Sequence, residues 1–267
     1  MAIGIAASGS SLGGIIYPIV FYRLLDQIDF GWSVRVVGFI ALATLLVPLF
    51  CMKMRVKPPK ARALVDWTLF TDGPFMVFVI GSIVGFIGLY VVLFYISAFA
   101  YEEGILNSSL SFYIIPILNA SSMFGRTIPN IVADKIGPLN VITPGALVCG
   151  VLIFGMIGVH NTGGIVVIAL LFGFFSGVFV ALPPVCLVSL TKDKTKIGTR
   201  IGMAFGIIGF GTLAGGPGGG DLLQRYSNNV PDWTYLWIYG GVADIVACVI
   251  FLGVRLWKSG AVVKAKA

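Results

Sequence analysis

The chain is a succession of apolar stretches, each about as long as a bilayer is thick. Roughly 20 helical residues cross a hydrocarbon core, and eight segments reach that length, at about 3–22, 33–52, 74–98, 109–131, 139–159, 164–190, 201–222 and 234–256. These long runs of Val, Ile, Leu, Phe and Gly lack the strict alternation over about 10 residues that a barrel strand requires. The expected fold is therefore an all-α integral membrane bundle of about eight transmembrane helices. Composition agrees, with 58% hydrophobic and 11% charged residues, whereas soluble domains carry about 25% charged residues.

Orientation follows from where the basic residues fall, because cytoplasmic loops collect Lys and Arg. One set of loops holds Lys53, Arg55, Lys57, Lys60 and Arg62, then Lys135, then Lys192, Lys194, Lys196 and Arg200, and finally Arg255, Lys258, Lys264 and Lys266. The opposite set holds only Arg23, Arg35 and Arg225, and Arg126 lies inside a span. Eight crossings fit this alternation and place both termini in the cytoplasm. The segment "KMRVKPPKARALVDW" is the one long cytoplasmic linker, a hinge between two helices before it and six after it. The first apolar stretch differs from a secretory signal in lacking a charged start and in running on past Gly13 and Gly14.

The same pattern excludes several functions. A net charge of +7 comes without a basic stripe or a nucleic-acid-binding motif, so no nucleic-acid partner is expected. Cys51, Cys149, Cys186 and Cys248 stand singly in apolar stretches, without metal-binding or redox spacing, and His160 sits alone at a span end. No metal or cofactor is expected. No nucleophile constellation or phosphate loop is visible, and an enzyme is not expected either.

Ionisable side chains at bilayer depth are costly and mark function by default. Asn119, Ser122, Arg126, Asn130 and Asp134 follow at intervals of three, four, four and four, which sets them on one side of a helix. That face must turn toward other helices or a water-filled path. The guanidinium of Arg126, a planar fork of five donors, suits a carboxylate, whether that of a substrate or that of a neighbouring helix. Asn119 and Ser122 are its expected polar surroundings at a substrate site. Asp244, in the middle of the last span, is a candidate for proton coupling, while Asp221 lies near a span end where hydration suffices.

Close helix packing in lipid relies on small residues about four apart. The first span carries Gly4, Ser8 and Ser11 on one face beside Gly9, Gly13 and Gly14, and the third carries Gly81, Gly85 and Gly88. The stretch "GTLAGGPGGGDLL" holds so many helix breakers that it predicts irregular backbone, buried or lining a cavity. Pro183 and Pro184 predict a kink or an early end in the sixth span.

At "AASGSSLGGIIYP", "DFGWSVRVVGFIAL", "FGRTIPNIVADKIGPLN" and "GTLAGGPGGG" the sequence resembles the major facilitator superfamily, and within it the fungal monocarboxylate-porter-like branch. The resemblance covers essentially the whole chain. It implies twelve helices in two six-helix halves, of which the spans here match helices five to twelve, the first four being absent. The implied organisation is 1–55 as the last two helices of an N-terminal half, 56–72 as the central loop, 73–258 as the C-terminal half and 259–267 as a cytoplasmic tail. Gly9, Ser10, Gly13 and Gly14 resemble a fifth-helix motif, G-P-x-x-G-G, with Ser10 in place of its proline. Asn130, Asp134, Lys135 and Gly137 resemble the cytoplasmic gating motif G-x-x-x-D-R-x-G, with Asn130 where glycine is usual. Arg126 matches the arginine that such porters use for a substrate carboxylate, and Ser122 replaces the aspartate that partners it there.

The resulting expectation is a transporter that moves a small organic anion, such as a monocarboxylate, by alternating access in the plasma membrane. Its partners are that substrate and the lipid bilayer. The rival reading is a truncated, non-transporting membrane protein or sensor built from such helices, because alternating access requires both halves.

Overall fold

The computed structural model describes residues 2–53, 63–225 and 232–260, so the basic residues from Arg55 to Arg62 and the tail beyond Gly260 lie outside the described part. Nine α-helices occur among the described residues: α1 (Ala2–Leu25), α2 (Phe30–Cys51), α3 (Gly73–Glu102), α4 (Ser108–Ile136), α5 (Pro138–Gly155), α6 (Thr162–Ala181), α7 (Pro183–Leu190), α8 (Ile197–Arg225) and α9 (Trp233–Ser259). Short 3-10 turns at Trp67–Thr71 and Lys194–Lys196 precede α3 and α8.

Local chemistry sets several of these boundaries. Asn107, Asn161 and Asp232 cap α4, α6 and α9 by accepting from the amides of Leu110, Gly164 and Thr234, which satisfies donors that a helix start leaves open. Gly137, at a φ of 99°, ends α4 in a conformation closed to most side chains, and Pro138 then opens α5. The sixth span breaks at Leu182, with α7 starting on the Pro183–Pro184 pair as their missing amide hydrogens predict.

Among the described residues seven spans are long and apolar enough to cross a membrane, α6 and α7 counting as one. α4 has the length, at 29 residues, but its polar stripe lowers its hydropathy. It packs between α6 and α1, so that stripe meets protein. Neighbouring helices run α2, α1, α4, α6, α5, α9, α3 and α8, each in contact with the next, and α3 also touches α4. The core lies where α3, α5 and α9 converge, around Phe78, Trp237 and Phe251, all fully buried. In α2, by contrast, Ser33 alone is buried, and Phe39, Leu45 and Phe50 are exposed on a face that suits lipid.

One expectation is corrected. Residues 211–220 are regular helix within α8, not irregular backbone. The glycines replace missing side-chain bulk with close approach to α3: a Cβ at Gly211 would stand 2.3 Å from the Ile83 carbonyl oxygen, and one at Gly215 2.7 Å from that of Ile87. Tyr95 donates to the Gly216 carbonyl at 2.7 Å and Tyr239 to that of Ala214 at 3.2 Å. These contacts brace the turns leading up to Pro217, whose ring removes one amide donor.

Candidate functional site

The polar stripe of α4 faces α1 in an antiparallel seam. A Cβ at Gly4 would stand 2.6 Å from the Arg126 carbonyl oxygen, and one at Gly14 2.7 Å from the Asn119 amide oxygen. At the far end Tyr22 stacks on Phe112, with ring centroids 4.2 Å apart. The small residues of α1 thus admit the polar residues of α4, and register follows from which glycine receives which side chain.

Arg126 sits in the middle of this seam, 8% exposed. Its Nη1 donates to the Ala7 carbonyl at 2.8 Å and to the hydroxyl of Ser10, and that hydroxyl in turn donates to the Ala7 carbonyl at 2.9 Å. Its Nε donates to Ser122 Oγ at 3.3 Å. Nη2 has no hydrogen bond among the described residues, and no carboxylate there pairs with the guanidinium. The charge is therefore met by dipoles alone. In a membrane interior such a cation retains an unspent attraction for an anion.

The other expected site residues fall into three groups. Ser122 joins Arg126 directly, whereas Asn119 lies about two turns away against Gly14, its amide bound to the Ile115 carbonyl. Asn130 belongs to the seam: its amide donates to the Arg126 carbonyl at 2.7 Å, and its side chain packs on Gly4. Asp134 and Lys135 are exposed at the end of α4, Asp134 being itself engaged, and Gly137 makes the turn into α5. Of the α1 glycines, Gly14 meets α4, a Cβ at Gly13 would touch its own helix at Tyr17, and one at Gly9 would meet open space.

Asp244 is 1% exposed, and neither carboxylate oxygen has a partner among the described residues. Gly88 of α3 presses against it, since a Cβ there would stand 2.6 Å from its Oδ1. Cys149 of α5 is its titratable neighbour. This carboxyl group lies where α9 meets α3, not in the α1–α4 seam. Among the described residues no group of three or more His, Cys, Asp or Glu is placed to hold a metal ion.

Ser10 and Ala7 are the Arg126 contacts that residue spacing did not reveal. Ser10 was visible as the residue standing where the resembled motif carries proline, and its hydroxyl is what receives Arg126.

The sequence that forms these helices matches a known family. The family model of the Major Facilitator Superfamily matches residues 1–195. The chain belongs to that superfamily. It is 58% identical over 246 residues to the MFS-type transporter dbaD of Emericella nidulans, covering 92% of this chain and 55% of that protein. It is 34% identical to the Aspyridones efflux protein apdF of Emericella nidulans, over 84% of this chain and 46% of the relative. It is also 34% identical to the Agnestins efflux protein AgnL12 of Paecilomyces divaricatus, over 99% and 60% respectively. The chain spans about half the length of these curated relatives, from 46% to 60%.

Proposed function

We propose that this superfamily member serves as a transporter of a small organic molecule bearing a negative group, a monocarboxylate being the simplest class, and that Arg126 meets that charge. The observation that carries the reading is the guanidinium of Arg126, buried in the seam with neutral partners and with Nη2 open. A carboxylate supplies the missing charge and fits the fork. Two of the relatives are named efflux proteins, which supports movement outward.

In this reading α1 and α2 belong to one rocking half and α3–α9 to the other. Residues 56–72 link them, and 259–267 form a tail. The ends rich in Lys and Arg face the cytoplasm of a plasma membrane, and Asn130, Asp134, Lys135 and Gly137 form the gate there. Asp244, buried without a hydrogen bond, carries the coupling proton. Substrate and ion sites near the bilayer midplane between two moving bundles are the common transporter arrangement.

The test is transport of labelled carboxylates in cells expressing the full chain, with Arg126→Ala beside the parent. Loss of transport with membrane insertion intact is expected. Unchanged transport would sink the anion site.

A further inference from the structure

The partners of Arg126 divide its fork unequally. Nη1 is held from α1 by two acceptors, the Ala7 carbonyl and the Ser10 hydroxyl, and Nε only by Ser122 at 3.3 Å, from the same helix. A carboxylate binds a guanidinium through two adjacent nitrogens, and the Nε–Nη2 edge is the one that displaces a single weak neutral partner. We propose that Ser10 is a positioning residue: by clamping Nη1 it turns the Nε–Nη2 edge of Arg126 toward the anion, so that anion binding and docking of α1 on α4 become one coupled event. This rests on the reading of Arg126 as the anion site and adds what aims it. The two helices contribute different things, α4 the charge and α1 its orientation, so neither alone presents the edge. Linkage then requires reciprocity, with a bound anion tightening the α1–α4 contact as much as that contact tightens the anion.

Ser11, the next residue of α1, is fully buried, so a thiol placed there reports opening of α1. The experiment uses the Ser11→Cys variant of the full chain in membranes, with N-ethylmaleimide labelling read on the individual peptide so that exposed Cys51 does not interfere. Adding Ser10→Ala should speed labelling about tenfold, the worth of one hydrogen bond to a charged group. Arg126→Met, which also removes the hydrogen bond to the Ala7 carbonyl, should speed it at least as much, and Ser10→Ala should add nothing to Arg126→Met, since the contact it removes is already gone. Ser10→Thr, which keeps the hydroxyl, should label at the parent rate. Sodium benzoate as the probe should slow labelling in the parent, and should not slow it with Ser10→Ala or Arg126→Met.

A parental rate in the Ser10→Ala variant, or effects that multiply in the double variant, overturns the clamp. Absence of benzoate slowing in the parent, or equal slowing with Arg126→Met, overturns the coupling. The labelling without benzoate involves no substrate, so its failure leaves Arg126 open as an anion site. Unchanged transport in Arg126→Ala would instead remove the anion site and leave the clamp as a purely structural contact.

Discussion

Two arginines are buried to nearly the same degree, Arg126 at 8% and Arg200 at 7% exposure, in opposite electrostatic company. Arg200, at the start of α8, meets the segment that leads into α3. Its Nε donates to Asp66 at 3.0 Å, its Nη1 to Asp72 at 2.9 Å and its Nη2 to the Thr68 hydroxyl at 3.2 Å, while the guanidinium lies over the Phe75 ring. Lys196 adds a second cation to Asp66 at 3.0 Å. Every tine of that fork is occupied, and two carboxylates answer two cations. Among the described residues Arg126 has hydroxyls and a carbonyl only. The contrast separates an arginine that holds structure from one with attraction left over for a ligand, a distinction that burial alone does not make.

Substitutions can break or sharpen this contrast. The largest effect belongs to Arg126: replacement with Lys keeps the charge but loses the fork, and carboxylate transport should fall by roughly tenfold or more, while a thermal melt of the purified chain barely moves. At Arg200 the readouts should exchange. Arg200→Leu leaves Asp72 without its cation and Asp66 with only the part-exposed Lys196, and the melt should drop on the order of 5 °C; a melt unchanged at Arg200 and collapsed at Arg126→Lys would reverse the assignment.

Next comes acid. Hydrogen bonds from Thr68, then Arg200 and Lys196, hold the Asp66 carboxyl well below the usual carboxylate range. A depressed folded value contributes stability above the unfolded value, and that stability is lost as pH falls through the folded one. Stability from this cluster should therefore be flat from neutrality to about pH 4, the ordinary aspartate value, and decline only below it. Asp66→Asn should remove that acid-side decline, as melts across a pH series would show. Smallest of all is Lys196→Ala. Its side chain is 41% exposed, and an exposed pair contributes under about 1 kcal/mol, so its melt should shift by no more than about 2 °C.

Much of the α4 half of this contrast was legible in sequence. The intervals between Asn119, Ser122, Arg126 and Asn130 place them on one helix face, and a charged residue so placed had to turn away from lipid. What it turned toward was not legible, because Ala7 and Ser10 lie more than a hundred residues upstream and their register depends on which glycine of α1 admits which side chain of α4. The Arg200 cluster was hidden for the same reason. Asp66 and Arg200 each read as ordinary residues near a membrane end, and their union is made by chain folding across 134 positions. The glycine-rich part of α8 misled outright. Helix propensity weighs a segment alone, but here Ile83, Ile87, Tyr95 and Tyr239 supply the contacts that keep it regular.

The crossing of α4 and α6 has a mechanical consequence. A Cβ at Gly125 would stand 1.9 Å from the Phe174 carbonyl oxygen, and one at Gly173 2.2 Å from that of Leu118. With backbone resting on backbone at two points, a side chain at either glycine would force these helices apart. They form a splint whose longer member, at 29 residues, measures about 44 Å at 1.5 Å rise per residue. A motion that parts α4 from α1 is then expected to carry α6 along with α4.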